Sequence, residues 1–209
     1  MQKIKPRDKV DTSGRNMLRN EKRERILGLA IAAGQMWNDS DGKSAIMEIY
    51  ANHGHDVLDW EMKLIEETGW IKPGEVESFE SNRRVHYRDS NKLRIYHKWL
   101  YCGKPDKTLK NVLKYMYSPL FASLMLIHRG VLDEGSISMF LDFDKMSVLA
   151  LRDWLKDLHG VESKIAYDWD NKEILVFADE GAAKRLELCR PIISQIPGMY
   201  QRYYENFGR

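Results

Sequence analysis

Residues 26–34 read ILGLAIAAG, and residues 118–130 read SPLFASLMLIHRG. Both stretches are apolar and end in glycine, so each predicts a buried helix that stops at that glycine. Gly28 and Ala32 stand four positions apart, so one helix face is small enough for another backbone to approach closely. The dipeptide Ser118-Pro119 predicts where the second helix begins, with a hydroxyl cap followed by proline at the first helical position. Two similar helices in one chain point to an internal repeat.

The segments around these two helices predict the same order of elements in each half: helix, strand, helix, hairpin, helix. A turn at Asp89 in the first half corresponds to a turn at Asp170 in the second. A further strand is expected in each half directly after Gly34 and Gly130. The pattern therefore predicts an α+β fold with three parts: a flexible basic arm (1–20), a first repeat (21–117) and a second repeat (118–209).

The composition is that of a folded protein in a reducing compartment. The chain is 43% apolar and 31% charged, which is ordinary for a folded domain. It contains no apolar run of about 20 residues, the length that a membrane helix needs, and the basic N-terminus has no apolar core for secretion. Cys102 and Cys189 stand far apart and are expected to be reduced. We expect a cytoplasmic location, in bacteria, a phage-infected cell or an organelle, with no membrane contact.

Four ordered stretches carry a resemblance: ILGLAIAAG (26–34), SAIMEIYANHGHDVLDWEMKLIEETGW (44–70), LRIYHKWLYCGKPDKTLKNVLKYMYSPLFASLMLIHRG (93–130) and the tail from SISMFLDFDKM to CRPIISQIPGMYQRY (136–203). In this order they resemble the LAGLIDADG homing endonucleases, in particular the intron-encoded, single-chain branch with two repeats. The resemblance implies a monomer of two αββαββα repeats related by a pseudo-twofold axis. It also implies that the two motif helices meet at that axis and that each repeat lays a curved sheet on the major groove of DNA.

The sequence departs from this family where cleavage would need carboxylates. The resemblance implies an acidic residue before each terminal glycine, where it would bind a divalent metal. Those positions hold Ala33 and Arg129; alanine has no ligand atom and arginine repels a cation. The sequence therefore predicts a catalytically degenerate member with no cofactor. The alternative is residual cleavage by acids displaced past the glycines: Asp39, Asp41, Asp133 and Glu134.

Positive charge is concentrated before the second motif helix. Residues 81–118 hold ten basic and two acidic residues, a net charge of +8, whereas residues 119–209 have a net charge of −3. In a hairpin predicted over residues 80–97, alternation would place basic side chains of both strands on one face. Such a face suits nucleic acid, because arginine reads guanine and lysine holds phosphate. The candidate nucleic-acid-binding residues are Arg83, Arg84, His86, Arg88, Lys92, Arg94, Tyr96, Lys98 and Lys104.

The second repeat carries acidic candidates instead. Carboxylates on the hairpin predicted over residues 161–178 would repel phosphate groups. We therefore expect the second sheet to contribute little to DNA binding, and its acidic surface to bind a basic, DNA-bound protein. The candidate protein-binding residues are Asp142, Glu162, Asp168, Asp170 and Glu173.

Together these features favour a non-cleaving protein that binds double-stranded DNA. Its expected role is that of a regulator or accessory factor, for example for recombination or transcription on a phage or mobile element. One alternative is an RNA-binding intron maturase, since degenerate members of the family take that role. Others are a residual site-specific DNA endonuclease and a protein adaptor that keeps only the scaffold.

Overall fold

The two apolar segments form helices in the computed structural model of the chain, and these helices, Arg19–Ala32 and Pro119–Arg129, pack against each other. Ser118 caps the second one, as predicted, because its side chain accepts a hydrogen bond from the Leu120 N–H. The structure describes residues 19–38, 45–70, 76–78, 82–87, 91–103, 107–133 and 136–205. For residues 76–78, 82–87, 91, 92 and 133 it describes the backbone only.

In the part of the first half that the structure describes there are three α-helices and four strands, including the expected strand directly after the first helix. In chain order they are α1 (Arg19–Ala32), β1 (Gly34–Asn38), β2 (Ala45–Tyr50), α2 (His55–Glu66), β3 (Val76–Ser78), β4 (Asn82–Tyr87) and α3 (Asn91–Tyr101).

The second half repeats that order. Its elements are α4 (Pro119–Arg129), β5 (Gly130–Asp133), β6 (Ser136–Phe140), α5 (Lys145–His159), β7 (Lys164–Tyr167), β8 (Glu173–Ala178) and α6 (Glu180–Ile193). A single-turn 3₁₀ helix lies at Leu113–Tyr115, before α4, and a π-helical turn lies at Gln201–Glu205.

Each half builds one antiparallel four-stranded sheet, and the two sheets have the same topology. The strand orders are β1-β2-β4-β3 and β5-β6-β8-β7. The first strand of each sheet continues directly from a motif helix and lies at the edge. This identical order confirms the predicted two-repeat α+β fold.

Close packing of α1 on α4 explains the small residues of the first segment. The two helices approach closely at Gly28, since a Cβ there would stand 3.3 Å from Leu124 Cδ1 and 3.6 Å from Phe121 Cδ2. The side chains of residues 26–32 and 120–127 are buried. Burial on this scale makes the helix pair the centre of the hydrophobic core.

The glycines that end the motif helices are required by close approach of backbone. A Cβ on Gly34 would lie 2.0 Å from the Glu48 carbonyl oxygen, and one on Gly130 would lie 2.4 Å from the Leu126 carbonyl oxygen. Gly130 has φ −83°, a value open to any residue. Steric exclusion, and not a left-handed backbone, therefore fixes this glycine at the helix-to-strand turn.

The second strand of the hairpin predicted over residues 80–97 is wrong. Residues 91–101 form helix α3, and the partner of β4 on that side is β3, which precedes it in the chain. The buried residues Leu93, Tyr96 and Leu100 are spaced by three and four positions, which is the period of a helix. The alternation of basic and apolar residues suggested a strand, but the helical set of apolar residues decides the structure.

This correction removes the second strand of the predicted basic hairpin. Tyr96 is only 3% exposed and packs in the core, so it cannot offer its ring to a nucleic acid. Arg94 and Lys98 are exposed, but on α3 and not on the sheet. Among the described residues, no helix has the length and apolar character needed to cross a membrane.

Candidate functional site

A polar cavity of about 320 Å³ lies where the C-terminal ends of α1 and α4 meet. Both positions at which the sequence resemblance implies acids belong to it. Its lining comprises Ala32, Ala33, Gly34, Gln35, Tyr50, Asn52, Tyr101, Lys107, His128, Arg129 and Asp142.

Arg129 joins the two helix ends across this cavity. Its Nε donates to the Ala32 carbonyl oxygen over 3.2 Å, and its Nη1 forms an ion pair with Asp142 Oδ1 at 2.9 Å. Carbonyl groups at the end of a helix lack partners within the helix and carry its negative dipole end. Arg129 therefore supplies the positive charge and the donors that this helix end attracts.

Lys107 adds a second cation to the same helix end. Its Nζ donates to the carbonyl oxygens of Ile31, at 3.3 Å, and of Gly34, and its side chain is buried. Burial, and then repulsion by Arg129, lowers the pKa of Lys107 to about 8, while Asp142 acts in the opposite direction. Two basic side chains thus occupy the end of α1. Lys107 was not predicted as a site residue, and its only signal in the sequence was its place in the basic segment 81–118.

The residues at these helix ends do not fit a divalent metal. Hard cations require several oxygen ligands, but Ala33 has none, and Arg129 and Lys107 are positively charged. Asp142 is the one carboxylate among the described lining residues, and it is paired with Arg129. The described part of the chain contains no group of three or more metal-binding side chains. Of the four displaced acids, Asp39, Asp41 and Glu134 lie outside the described residues, and Asp133 is described by its backbone.

A buried polar cluster lies beside the cavity, and the sequence analysis did not find it. His128 Nε2 and Glu61 Oε1 form a hydrogen bond between α4 and α2, and both side chains are almost fully buried. The His53 ring lies 5.2 Å from the His128 ring and accepts a 2.8 Å hydrogen bond from Arg202 Nη1 at its Nδ1. Burial, and then the charges of His128 and Arg202, lower the pKa of His53 to about 4. The cluster connects the end of α4 to α2 and to the C-terminal turn.

Solved structures share this arrangement of helices and sheets. The homing endonuclease I-WcaI bound to its DNA recognition sequence matches with a TM-score of 0.69 at 14% identity, over 88% of this chain and 86% of that one. A variant of I-DmoI in complex with its target DNA matches with a TM-score of 0.56 at 16% identity, over 84% and 96%. The N-terminal LAGLIDADG domain of DUF199/WhiA gives 0.51 at 13%, over 85% and 86%.

The chain has the LAGLIDADG homing-endonuclease fold. The sequence itself matches no family model and no curated protein.

In this LAGLIDADG fold the open face of the first sheet is polar next to the cavity. Gln35 Nε2 donates to the Tyr50 hydroxyl, which donates to Glu48 Oε2 at 3.0 Å. The register sets Arg84 opposite Glu48, and His86 opposite Ile46.

Among the described candidates, Arg83 does not share the register positions of this pair. Arg83 is opposite Ile49, whose side chain is buried on the other face of β2. Arg88 and Lys104 lie outside the described residues, and Lys92 lies in α3, where its backbone is described.

The acidic candidates of the second repeat lie at several places in the structure and do not share one sheet face. Asp142 pairs with Arg129 in the cavity, and Glu162 precedes β7 and pairs with Lys156 at 3.1 Å. Asp168 and Asp170 belong to the β7–β8 turn, where Asp168 Oδ1 accepts the Asp170 and Lys172 N–H groups. Glu173 stands opposite Tyr167, two residues from buried Leu175 on the same strand, and so on the inner side of the sheet. Turn formation, not alternation along a strand, sets these positions.

Proposed function

We propose that this protein binds double-stranded DNA through its two sheets and does not cut it, acting as a regulator or accessory factor that occupies its site. One observation carries the proposal: the ends of the two motif helices hold Arg129 and Lys107, hydrogen-bonded to the carbonyl groups of Ile31, Ala32 and Gly34. These cations stand at the helix ends where the resemblance implies carboxylates.

The fold supports the binding half of the proposal. I-WcaI and I-DmoI are both seen bound to DNA, and this chain matches them over both of its sheets. Charge adds to this argument, since residues 81–118 carry a net charge of +8. A basic segment attracts phosphate groups, and an arginine on a sheet in the major groove reads guanine.

The chemistry of the cavity supports the non-cleaving half. Divalent metals promote hydrolysis by activating water and by stabilising the leaving oxygen. Ala33 offers no ligand for such an ion, and Arg129 would repel it. Arg129 and Lys107 are paired with carbonyl oxygens at the end of α1, and Arg129 also with Asp142. The same positive charge is favourable to the phosphate groups of a duplex lying over the cavity, so binding does not require a metal.

A competition experiment tests the binding half. Affinity for a random-sequence duplex, a structured RNA and a single strand is measured by fluorescence anisotropy, each with EDTA and with Mg²⁺. We expect the duplex to bind most tightly and equally well in both buffers, with an affinity that falls steeply as salt rises. Tighter binding of the structured RNA would replace this proposal with that of an RNA-binding maturase.

A matched pair of variants tests which sheet supplies the positive contacts. Arg84→Ala removes a basic residue from the register position opposite Glu48, while Lys164→Ala removes one from the exposed edge strand β7. We expect Arg84→Ala to weaken binding by about 1–3 kcal/mol and to relax specificity at one base pair. Lys164→Ala should mainly reduce the salt dependence. Equal losses from both would show that the two sheets grip DNA in the same way.

A further inference from the structure

Among the side chains that the structure describes, the open face of the second sheet carries one charge, that of Lys164. Its inner face packs on the helices through four fully buried side chains, Ile137, Met139, Leu175 and Phe177. Strand alternation leaves the neighbouring residues on the outer face. The described side chains of that face are Val131, Ser136, Ser138, Phe140, Lys164, Ala166, Ile174, Val176 and Ala178.

Apart from Lys164, the described side chains of this outer face present methyl, phenyl and hydroxyl groups. Val131 is 51% exposed and Phe140 is 39% exposed, and the cross-strand pairs place Val131 beside Ser138 and Ser138 beside Val176. Lys164, on the edge strand, is the single charged side chain among these described residues. By contrast, the first sheet offers Gln35, Glu48 and Tyr50 next to the cavity.

We propose that the second sheet recognises a thymine-rich half-site through the 5-methyl groups of its bases, an inference that rests on the proposed binding of DNA. In the major groove, guanine is read by arginine or lysine, and adenine by asparagine or glutamine. Apart from Lys164 at the edge, the described face has none of these residues. Thymine instead presents a methyl group, for which apolar side chains are the partners, and serine hydroxyls serve either base pair.

Two observations favour a base-pair surface over a protein-binding one. Small residues, Ser136, Ser138, Ala166 and Ala178, occupy much of the face, whereas the centres of protein interfaces are rich in tyrosine, tryptophan and arginine. The face is also continuous with the cationic cavity, since β5 begins at Gly130, directly after Arg129. A duplex drawn to Arg129 would therefore lie across this sheet.

The chemistry predicts an asymmetric target. The first sheet would read its half-site by hydrogen bonds, and the second would read its half-site by methyl contacts. Uracil lacks only the methyl group of thymine, so replacing one base by the other isolates the contact. A buried methyl contributes about fourfold in affinity, which is about 0.8 kcal/mol.

The experiment begins with selection of bound duplexes from a randomised library. Each thymine of the selected site is then replaced singly by uracil, and binding is measured for the natural chain, for Val131→Ser and for Met146→Ser. Met146 lies on α5, outside the sheet, and is 64% exposed, so it serves as the matched apolar control. We expect thymine enrichment in one half, a loss of about fourfold at some of its thymines, and disappearance of at least one such loss in Val131→Ser alone.

The outcomes separate the inference from the proposed function. A selected duplex that binds equally well with uracil throughout, or that loses the same affinity in all three proteins, would overturn methyl recognition by this sheet and leave DNA binding intact. If methyl recognition is overturned and a protein also cross-links through position 131, the outer face of the second sheet would instead be a protein-binding surface. Failure to select any duplex would refute both the proposed function and this inference.

Discussion

Replacing Lys107 by methionine tests whether its buried ammonium group is held against the end of α1. Methionine has a similar length and fills the same space without charge. At neutral pH two effects oppose each other: the carbonyl groups of Ile31 and Gly34 lose their donor, and a charge is no longer buried. Each is worth about 1–3 kcal/mol, so the net change at one pH decides little.

The pH dependence of stability is decisive. In the folded protein the pKa of Lys107 is about 8, below its ordinary 10.5. Between these values the unfolded chain binds more protons than the folded one, so stability rises with pH. Each pH unit in this window is worth about 1.4 kcal/mol. Lys107 should therefore add about 3 kcal/mol to the free energy of unfolding as the pH rises from 8 to 10.5, and this contribution is lost again as the pH falls through 8.

Urea unfolding of the natural chain and of Lys107→Met at pH 7.5, 9 and 10.5 measures this contribution. Other titrating groups are present in both proteins and cancel in the difference. We expect the natural chain to gain about 3 kcal/mol relative to the variant across the series. Two curves that stay parallel would show that the pKa of Lys107 is the same in the folded and the unfolded chain, which would contradict a net cost of burying its charge in this cavity.

Two further predictions concern the packing around the motif helices. Gly34→Ala should destabilise the fold by about 3 kcal/mol or more, because its Cβ would meet the Glu48 carbonyl oxygen at 2.0 Å. Gly28→Ala is the control: its Cβ meets the flexible end of Leu124, so it should change stability by less than about 1 kcal/mol. Similar losses for the two variants in chemical unfolding would contradict the described helix-to-strand turn. Arg185→Met should leave stability unchanged or raise it by about 1–3 kcal/mol, because Nε and Nη1 of this fully buried guanidinium have no partner among the described residues. A clear fall in Tm would instead show that the hydrogen bond from Arg185 Nη2 to the Ala122 carbonyl oxygen is essential.

The repeat could be predicted from the sequence because its signals are local. The apolar helix 26–32 ends at a glycine, and the second motif helix has Ser118 as a cap, so their limits follow from short-range chemistry. The hairpin of the second repeat was also predicted, from the turn at Asp170. In the structure Asn171 adopts the left-handed backbone of that tight turn, with φ 62°. The strands after Gly34 and Gly130 were expected only by analogy with the repeat.

The sequence predictions failed where a strand-like and a helix-like period occur in the same segment, or where the contacting residues are distant in sequence. Residues 91–101 combine alternating charges with a helical set of apolar residues, and burial of Leu93 and Leu100 decides for the helix. Lys107 reaches Ile31 over 76 positions, and His128 meets Glu61 over 67. No local pattern indicates such pairs. Only the two positions before the terminal glycines, Ala33 and Arg129, could be located in advance.

The central claim is that this scaffold binds DNA without cutting it. The most direct measurement follows the bound fraction and the cut fraction of one selected duplex in the same sample, with EDTA, Mg²⁺ or Mn²⁺. The account predicts a bound fraction that is independent of the metal and intact strands in all three conditions. Cleavage that requires Mg²⁺ or Mn²⁺ and disappears in Asp39→Ala or Asp133→Ala would contradict it, because displaced carboxylates would then supply the ligands that Ala33 and Arg129 lack.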